Sequence, residues 1–320
     1  MGEFDLIARY FTRTPRRAAL GVGDDCALLA PLPAGQRWAV SSDMLVEGRH
    51  FLSTVMPERL GHKALAVNLS DLAACGAEPV AFTLALSMPR IDEVFLEGFA
   101  RGLFALADQH AMDLVGGDTT AGPLTLCITV FGALPDGQAL LRSGALVGDD
   151  LWVSGELGDA RLALEGFRGS LSLPGEALER VRLRMECPTP RVALGQALRG
   201  VATSAIDLSD GLVGDLGHVL GRSGVGATVD ADTLPRSAVL ASMPARWQWE
   251  CTLAGGDDYE LLFSAPPAAA PAVLAAAGAA AVAVTRIGRI EAAPGLRIVD
   301  GRGVALDRSF AAFDHFRAPA

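Results

Sequence analysis

The chain has 320 residues, a net charge of −10 at pH 7 and 50% hydrophobic residues. That length accommodates two domains of ordinary size, and so much apolar material builds a sizeable core and excludes wholesale disorder. The acidic balance excludes nucleic acid as a partner, because a phosphate backbone calls for a basic surface.

The N-terminal MGEFDLIARYF carries acids early and has no long apolar core, so it predicts no signal peptide. Strands are predicted at 27–29, 38–41, 80–87 and 124–131, which are apolar or β-branched. A helix over 58–74 carries Leu65, Leu69 and Leu72 on one face, with Asn68 and Asp71 three residues apart on another. A second helix over 93–111 has a core stripe of Phe95, Phe99, Leu103 and Leu106. Pro135-Asp136-Gly137 is a turn, and 144–150 opens a second unit, so the expected domains are 1–140 and 141–320. In the second, helices are predicted at 176–185, 191–199 and 212–220, and strands at 227–229, 259–264 and 281–289. The order mixes strands and helices without strict βαβ alternation, which fits α+β layers better than a doubly wound sheet. The alanine-rich stretch 265–285 is broken by Pro266, Pro267 and Pro271; it predicts a surface helix running into a strand, not a membrane span. Cys26, Cys75, Cys127, Cys187 and Cys251 are far apart, lie in apolar stretches and form no CxxC pair. They read as buried free thiols of a cytoplasmic protein, with no zinc site and no disulfide framework.

Six acidic clusters interrupt these runs: LGVGDDCALL (Asp24, Asp25), WAVSSDML (Asp43), AVNLSDLAA (Asp71), LVGGDTT (Asp118), SAIDLSDGL (Asp207, Asp210) and LAGGDDYELL (Asp257, Asp258). An aspartate at the end of a buried strand must be paired, hydrogen-bonded or metal-bound. Six such sites, in a chain whose only lysine is Lys63, point to a shared hard cation, magnesium. Gly116-Gly117 lets backbone N–H groups approach an anion, and Arg142 in LLRSGA is placed to hold one. Blander readings stand beside these. Ser209 or Asp210 caps the helix that follows, Gly-Asp pairs make turns, and His50, seven residues after Asp43, is a structural histidine. No P-loop, kinase HRD or DFG, GxSxG or HExxH motif is present. The set points to a metal–nucleotide site assembled from both halves. The rival, an acidic protein binding calcium structurally, lacks EF-hand spacing and spreads its carboxylates along the chain.

Read in order, GEFDLIARYF, GVGDDCALL, SSDMLVEGRHF, KALAVNLSDLAACGAEP, LVGGDTTAGP, RSGALVGD, SAIDLSDGL, GGDDYELLF and the terminal FDHF resemble the thiamine-monophosphate kinases, from residue 2 to residue 316. These belong to the aminoimidazole-ribonucleotide-synthetase-like superfamily of ATP-dependent enzymes. The resemblance implies two α/β-layered domains. The first binds ATP and metal and pairs its strands with those of a twin in a homodimer; the second closes over nucleotide and substrate. It implies magnesium at Asp25, Ser41, Ser42, Asp43, Asp71, Asp118, Asp207 and Asp210. ATP is then expected at Gly117, Asp118, Arg142 and Ser209, and thiamine monophosphate at His50, Asp257 and Phe313. The implied reaction moves the γ-phosphoryl group of ATP onto thiamine monophosphate, with no side chain as general base. The family often has Glu where Asp257 stands, and SSD replaces the more familiar STD. The alternative is another ATP-dependent sibling such as selenophosphate synthetase. That enzyme generally carries a reactive Cys or selenocysteine near an N-terminal glycine-rich segment, and here Cys26 directly follows GDD.

Overall fold

A computed structural model of the chain describes residues 2–308 and residue 310. It divides into two units, one of Met1–Leu72 with Ala77–Gly137, the other of Ala73–Gly76 with Gln138–Ala320.

The first unit runs α1 (Glu3–Tyr10), β1 (Ala18–Leu20), β2 (Leu28–Leu29), β3 (Gln36–Val46), α2 (Pro57–Cys75), β4 (Glu78–Met88), α3 (Glu93–Gln109), β5 (Asp113–Ala121) and β6 (Thr125–Pro135). Its main sheet has the order β3-β6-β4-β5, with β4 and β5 parallel and the other neighbours antiparallel. Side chains alternate across each strand, so Leu45, Phe82, Leu84, Leu86, Leu126, Ile128 and Val130 are all buried on one face. Helix α2 lies on that face through Leu65, Leu69 and Leu72, each no more than 1% exposed. Of the α3 stripe, Phe99, Leu103 and Leu106 are buried and Phe95 is half-buried, and Asp92 caps that helix by accepting the N–H groups of Val94 and Phe95. The opposite face keeps Trp38, Val40 and Met44 exposed on β3, the last strand of the order.

The second unit runs β7 (Asp150–Ser154), α4 (Asp159–Phe167), α5 (Gly175–Glu186), α6 (Val192–Ala197), β8 (Ser204–Asp207), α7 (Leu212–Ser223), β9 (Gly226–Asp230), α8 (Ala238–Ala241), α9 (Ala245–Ala254), β10 (Leu261–Ala265), α10 (Ala270–Ala279), β11 (Val284–Glu291) and β12 (Gly295–Val299). Its six strands are ordered β12-β9-β11-β7-β10-β8, antiparallel except for β12 beside β9. Leu151, Val153, Ile206, Leu216, Val229, Leu262 and Ile287 form its core. Mixed sheets with helices layered on them are the α+β arrangement expected. The alanine-rich stretch is helix α10 followed by strand β11, and among the described residues no helix is long and apolar enough to cross a membrane.

Two expectations are corrected. The cysteines are not generally buried: Cys26 is exposed, Cys75, Cys127 and Cys187 are half-buried, and only Cys251 is buried. The acidic clusters do not all lie at buried strand ends either. Asp24, Asp25 and Asp118 are exposed, and Asp43 sits inside β3, which continues five residues past the predicted end at Ser41 to Val46.

Candidate active site

On the first unit, β3 presents Ser41 and Asp43 to the same side, two residues apart. Helix α2 meets them with Asp71 and Asn68, three residues apart on one helical face. Ser41 Oγ donates to Asp71 Oδ2 at 2.5 Å, and the Asp43 N–H donates to Asn68 Oδ1 at 3.1 Å. Asn68 is itself fixed by donating to the Ala64 carbonyl at 3.0 Å. Hydroxyl and carboxylate groups are thus held between a strand and a helix that are both packed into the core. Ser42 turns to the other face, where its hydroxyl lies 3.0 Å from Thr129 Oγ1. His50 closes the turn after β3, its Nδ1 accepting the Val46 N–H at 3.0 Å. That geometry assigns the proton of the neutral ring to Nε2.

Gly117 and Asp118 lie inside β5, a strand the sequence did not disclose. Gly117 has φ +151°, and a Cβ there would sit 1.8 Å from the Leu84 carbonyl oxygen on the neighbouring strand. Only glycine allows this approach. Asp118 follows it, exposed, opposite Ala85. Asp25 is exposed in the loop between β1 and β2.

On the second unit, Asp207 ends β8 and is 5% exposed. Beyond it the chain runs beside the GGDDYE segment. The Leu208 N–H donates to Glu260 O, Tyr259 N–H to Leu208 O, and Asp257 N–H to Ser209 O, at 2.8–2.9 Å. The approach is close enough that a Cβ on Gly256 would lie 2.3 Å from Ser209 O. The backbone of Arg142 is tied to the same region: the Ala205 N–H donates to Leu141 O, and Ser223 Oγ donates to Arg142 O. The Arg142 side chain itself is exposed.

Asp257 and Tyr259 have φ of +71° and +52°, two left-handed non-glycine residues in one short segment. Such strain persists only where the surroundings enforce it. The intervening and following residues supply that enforcement. Asp258 accepts the Gly158 N–H at 2.9 Å, and burial pushes its carboxyl well above the usual range. Glu260, fully buried, accepts two bonds from Arg191 at 2.5 and 2.6 Å, one from Arg184 at 2.9 Å and one from Ser154 Oγ at 2.6 Å. Asp258 and Glu260 therefore point inward as anchors and Asp257 and Tyr259 are half-exposed.

The capping alternative for Ser209 and Asp210 does not hold. The N-cap of α7 is Gly211, with no side-chain cap, and Asp215 reaches back to accept the N–H groups of Asp210 and Gly211 at 3.1 Å each. Burial pushes the Asp215 carboxyl up to about 7, against those two bonds. Asp215, Glu260 and Arg191 escape sequence reasoning, and Asp258, visible in its motif, is read there as a cation ligand rather than a buried anchor. Asp215 and Arg191 are single charges in apolar runs, and the one available signal is that such charges must find partners.

Among the described residues, no group of three or more His, Cys, Asp or Glu side chains is gathered closely enough to form a cage for a metal. A magnesium ion does not demand one, because it is commonly held by one or two carboxylates, waters and substrate phosphates. The all-oxygen set of Ser41, Asp43 and Asp71 fits that habit. Phe313 lies outside the described residues.

Two family models match: AIR synthase related protein, N-terminal domain, over residues 23–134, and the C-terminal domain of the same group over 147–301. The thiamine-monophosphate kinase of Salmonella typhimurium is 46% identical over 99% of this chain and 99% of its own. The crystal structure of thiamine-monophosphate kinase from Stenotrophomonas maltophilia K279a superposes with a TM-score of 0.85 at 45% identity, covering 95% of this chain and 96% of that one. A complex of AaThiL with AMPPCP and TMP has a TM-score of 0.78 at 28% identity over 90% of each chain. Relatives of this length and identity do not favour the sibling alternative.

Proposed function

The chain belongs to the thiamine-monophosphate kinase family of AIR-synthase-related proteins, and from that premise we propose that it works by in-line transfer assisted by several magnesium ions. The reaction is ATP-dependent phosphorylation of thiamine monophosphate to thiamine diphosphate. The observation that carries the mechanism is the Ser41–Asp71 hydrogen bond beside Asp43, a set of hard oxygen ligands on packed elements.

On the first unit Asp25, Ser41, Ser42, Asp43, Asp71 and Asp118 would hold magnesium, and on the second Asp207 and Asp210 would do so. Bound magnesium would screen the repulsion between two polyanionic substrates and neutralise charge developing on the transferred group. Gly117, beside Asp118 on β5, contacts ATP together with Asp118, Arg142 and Ser209. His50 donates through Nε2 to thiamine monophosphate, with Asp257 and Phe313 as further contacts. An acceptor phosphate oxygen attacks the γ-phosphorus, its new P–O bond replaces the bond to the β,γ-bridging oxygen, and ADP leaves. The second pKa of a phosphate monoester is about 6, so the attacking oxygen is already anionic near neutral pH and no side chain need take a proton. We place this reaction in the cytoplasm.

Incubation with magnesium and ATP against a panel of acceptors tests the assignment. Thiamine diphosphate and ADP are expected to form in equal amounts from thiamine monophosphate, while unphosphorylated thiamine is a very poor acceptor. Faster turnover of thiamine, or of selenide, would sink it.

The homodimer is supported by Trp38, Val40 and Met44, which are 38%, 58% and 56% exposed on the terminal strand of the first sheet. Large side chains in such a row mark an association surface. Light scattering at micromolar concentration is expected to give twice the 33.2 kDa chain mass; the monomer mass would refute the dimer.

A further inference from the structure

The segment Ser209–Gly211 opens helix α7, where the first N–H groups of any helix lack intrahelical partners. Ser and Asp are residues that ordinarily supply such partners from their own side chains. Here neither does, and among the described residues neither the Ser209 hydroxyl nor the Asp210 carboxylate makes a hydrogen bond, although both residues are half-buried. The task has passed to Asp215, one turn into the helix and 3% exposed. Its Oδ2 takes the N–H groups of both Asp210 and Gly211. The first turn also favours a negative charge there. On its other side the segment is closed in: a Cβ on Gly211, which has φ +106°, would lie 2.9 Å from Gly255 O. The Ser209 carbonyl holds the Asp257 N–H.

We infer that Asp215 is a positioning residue of this kinase. It fixes the backbone of Ser209–Gly211 and so frees the Ser209 hydroxyl and the Asp210 carboxylate from capping, leaving both for the nucleotide and its cation. The inference rests on the reading that Ser209 and Asp210 serve Mg-ATP, and a double-mutant cycle separates the two. Asp210→Asn is expected to raise the KM for Mg-ATP, and Asp215→Ala to raise it about tenfold, the scale of an outer-shell partner. The KM for thiamine monophosphate should stay within about twofold, because Asp257, besides its bond to Ser209, is held by the neighbouring Asp258 and Glu260 anchors, which Asp215 does not touch. The loss in Asp210→Asn/Asp215→Ala should be smaller than the product of the two single losses, since Asp215 acts in part through the Asp210 carboxylate already removed. Should Asp215→Ala fail to fold, Asp215→Asn, which keeps one acceptor oxygen, is expected to show a smaller rise in the same constant. Additive losses, or losses spread equally over both substrates, would mark Asp215 as merely structural and overturn the inference while leaving the reading intact. Unchanged Mg-ATP kinetics in Asp210→Asn would overturn the reading and the inference with it.

Discussion

Asp43→Asn and Asp71→Asn are each expected to cut turnover by at least about a hundredfold, roughly 2.7 kcal/mol of transition-state stabilisation. The fold should survive in both. Asp43 lies inside an eleven-residue strand paired along its whole length to β6, and Asp71 lies on a helix whose opposite face is core. The change is isosteric and removes one negative charge from the set proposed to hold magnesium, and an amide oxygen is a weaker partner for a hard dication. Steady-state kinetics at saturating ATP, with circular dichroism to verify folding, checks the pair. Turnover within threefold of the parent in either variant would remove that residue from the metal-holding set.

Arg191→Ala is expected to destabilise the second unit by about 3–5 kcal/mol, because it strands a fully buried carboxylate. Glu260 accepts four side-chain bonds, two from Arg191 and one each from Arg184 and Ser154, and truncating Arg191 removes two of the four. Chemical unfolding of parent and variant gives the difference directly. A loss below about 1 kcal/mol would mean that Arg184 alone compensates Glu260, since that is the scale of an exposed ion pair.

Helices α2 and α3 are legible in the sequence because their leucines and phenylalanines recur every three or four residues, the only spacing that aligns a buried stripe. The spacing of Asn68 and Asp71 carries the site with it, since both fall on one face whatever the tertiary context. Strand β5 is not legible. Its centre, Gly116-Gly117-Asp118, has poor strand propensity. It is a strand because parallel pairing with β4 imposes that conformation and because glycine alone permits the contact at Leu84. The aspartates of SAIDLSDGL and GGDDYE are visible as motifs. The division of GGDDYE into the half-exposed Asp257 and the buried anchors Asp258 and Glu260 is not, because it depends on partners such as Gly158 and Arg191, which are remote in sequence.

The left-handed backbone at Asp257 and Tyr259 costs on the order of 1–3 kcal/mol per residue, and the Asp258 and Glu260 anchors hold it. The segment is in effect a drawn spring with an ionic latch. A buried ion pair of this kind can be exchanged for well-packed apolar residues with no loss of stability, or even a gain. An engineer who replaced Glu260, Arg184 and Arg191 in that way would obtain a protein as sturdy or sturdier whose spring had lost one of its two anchors, with the backbone at Asp257 and Tyr259 less firmly held. At this one corner of the molecule, thermal robustness and the shape of the segment around Asp257 are separable quantities, and selection for the first alone would erode the second.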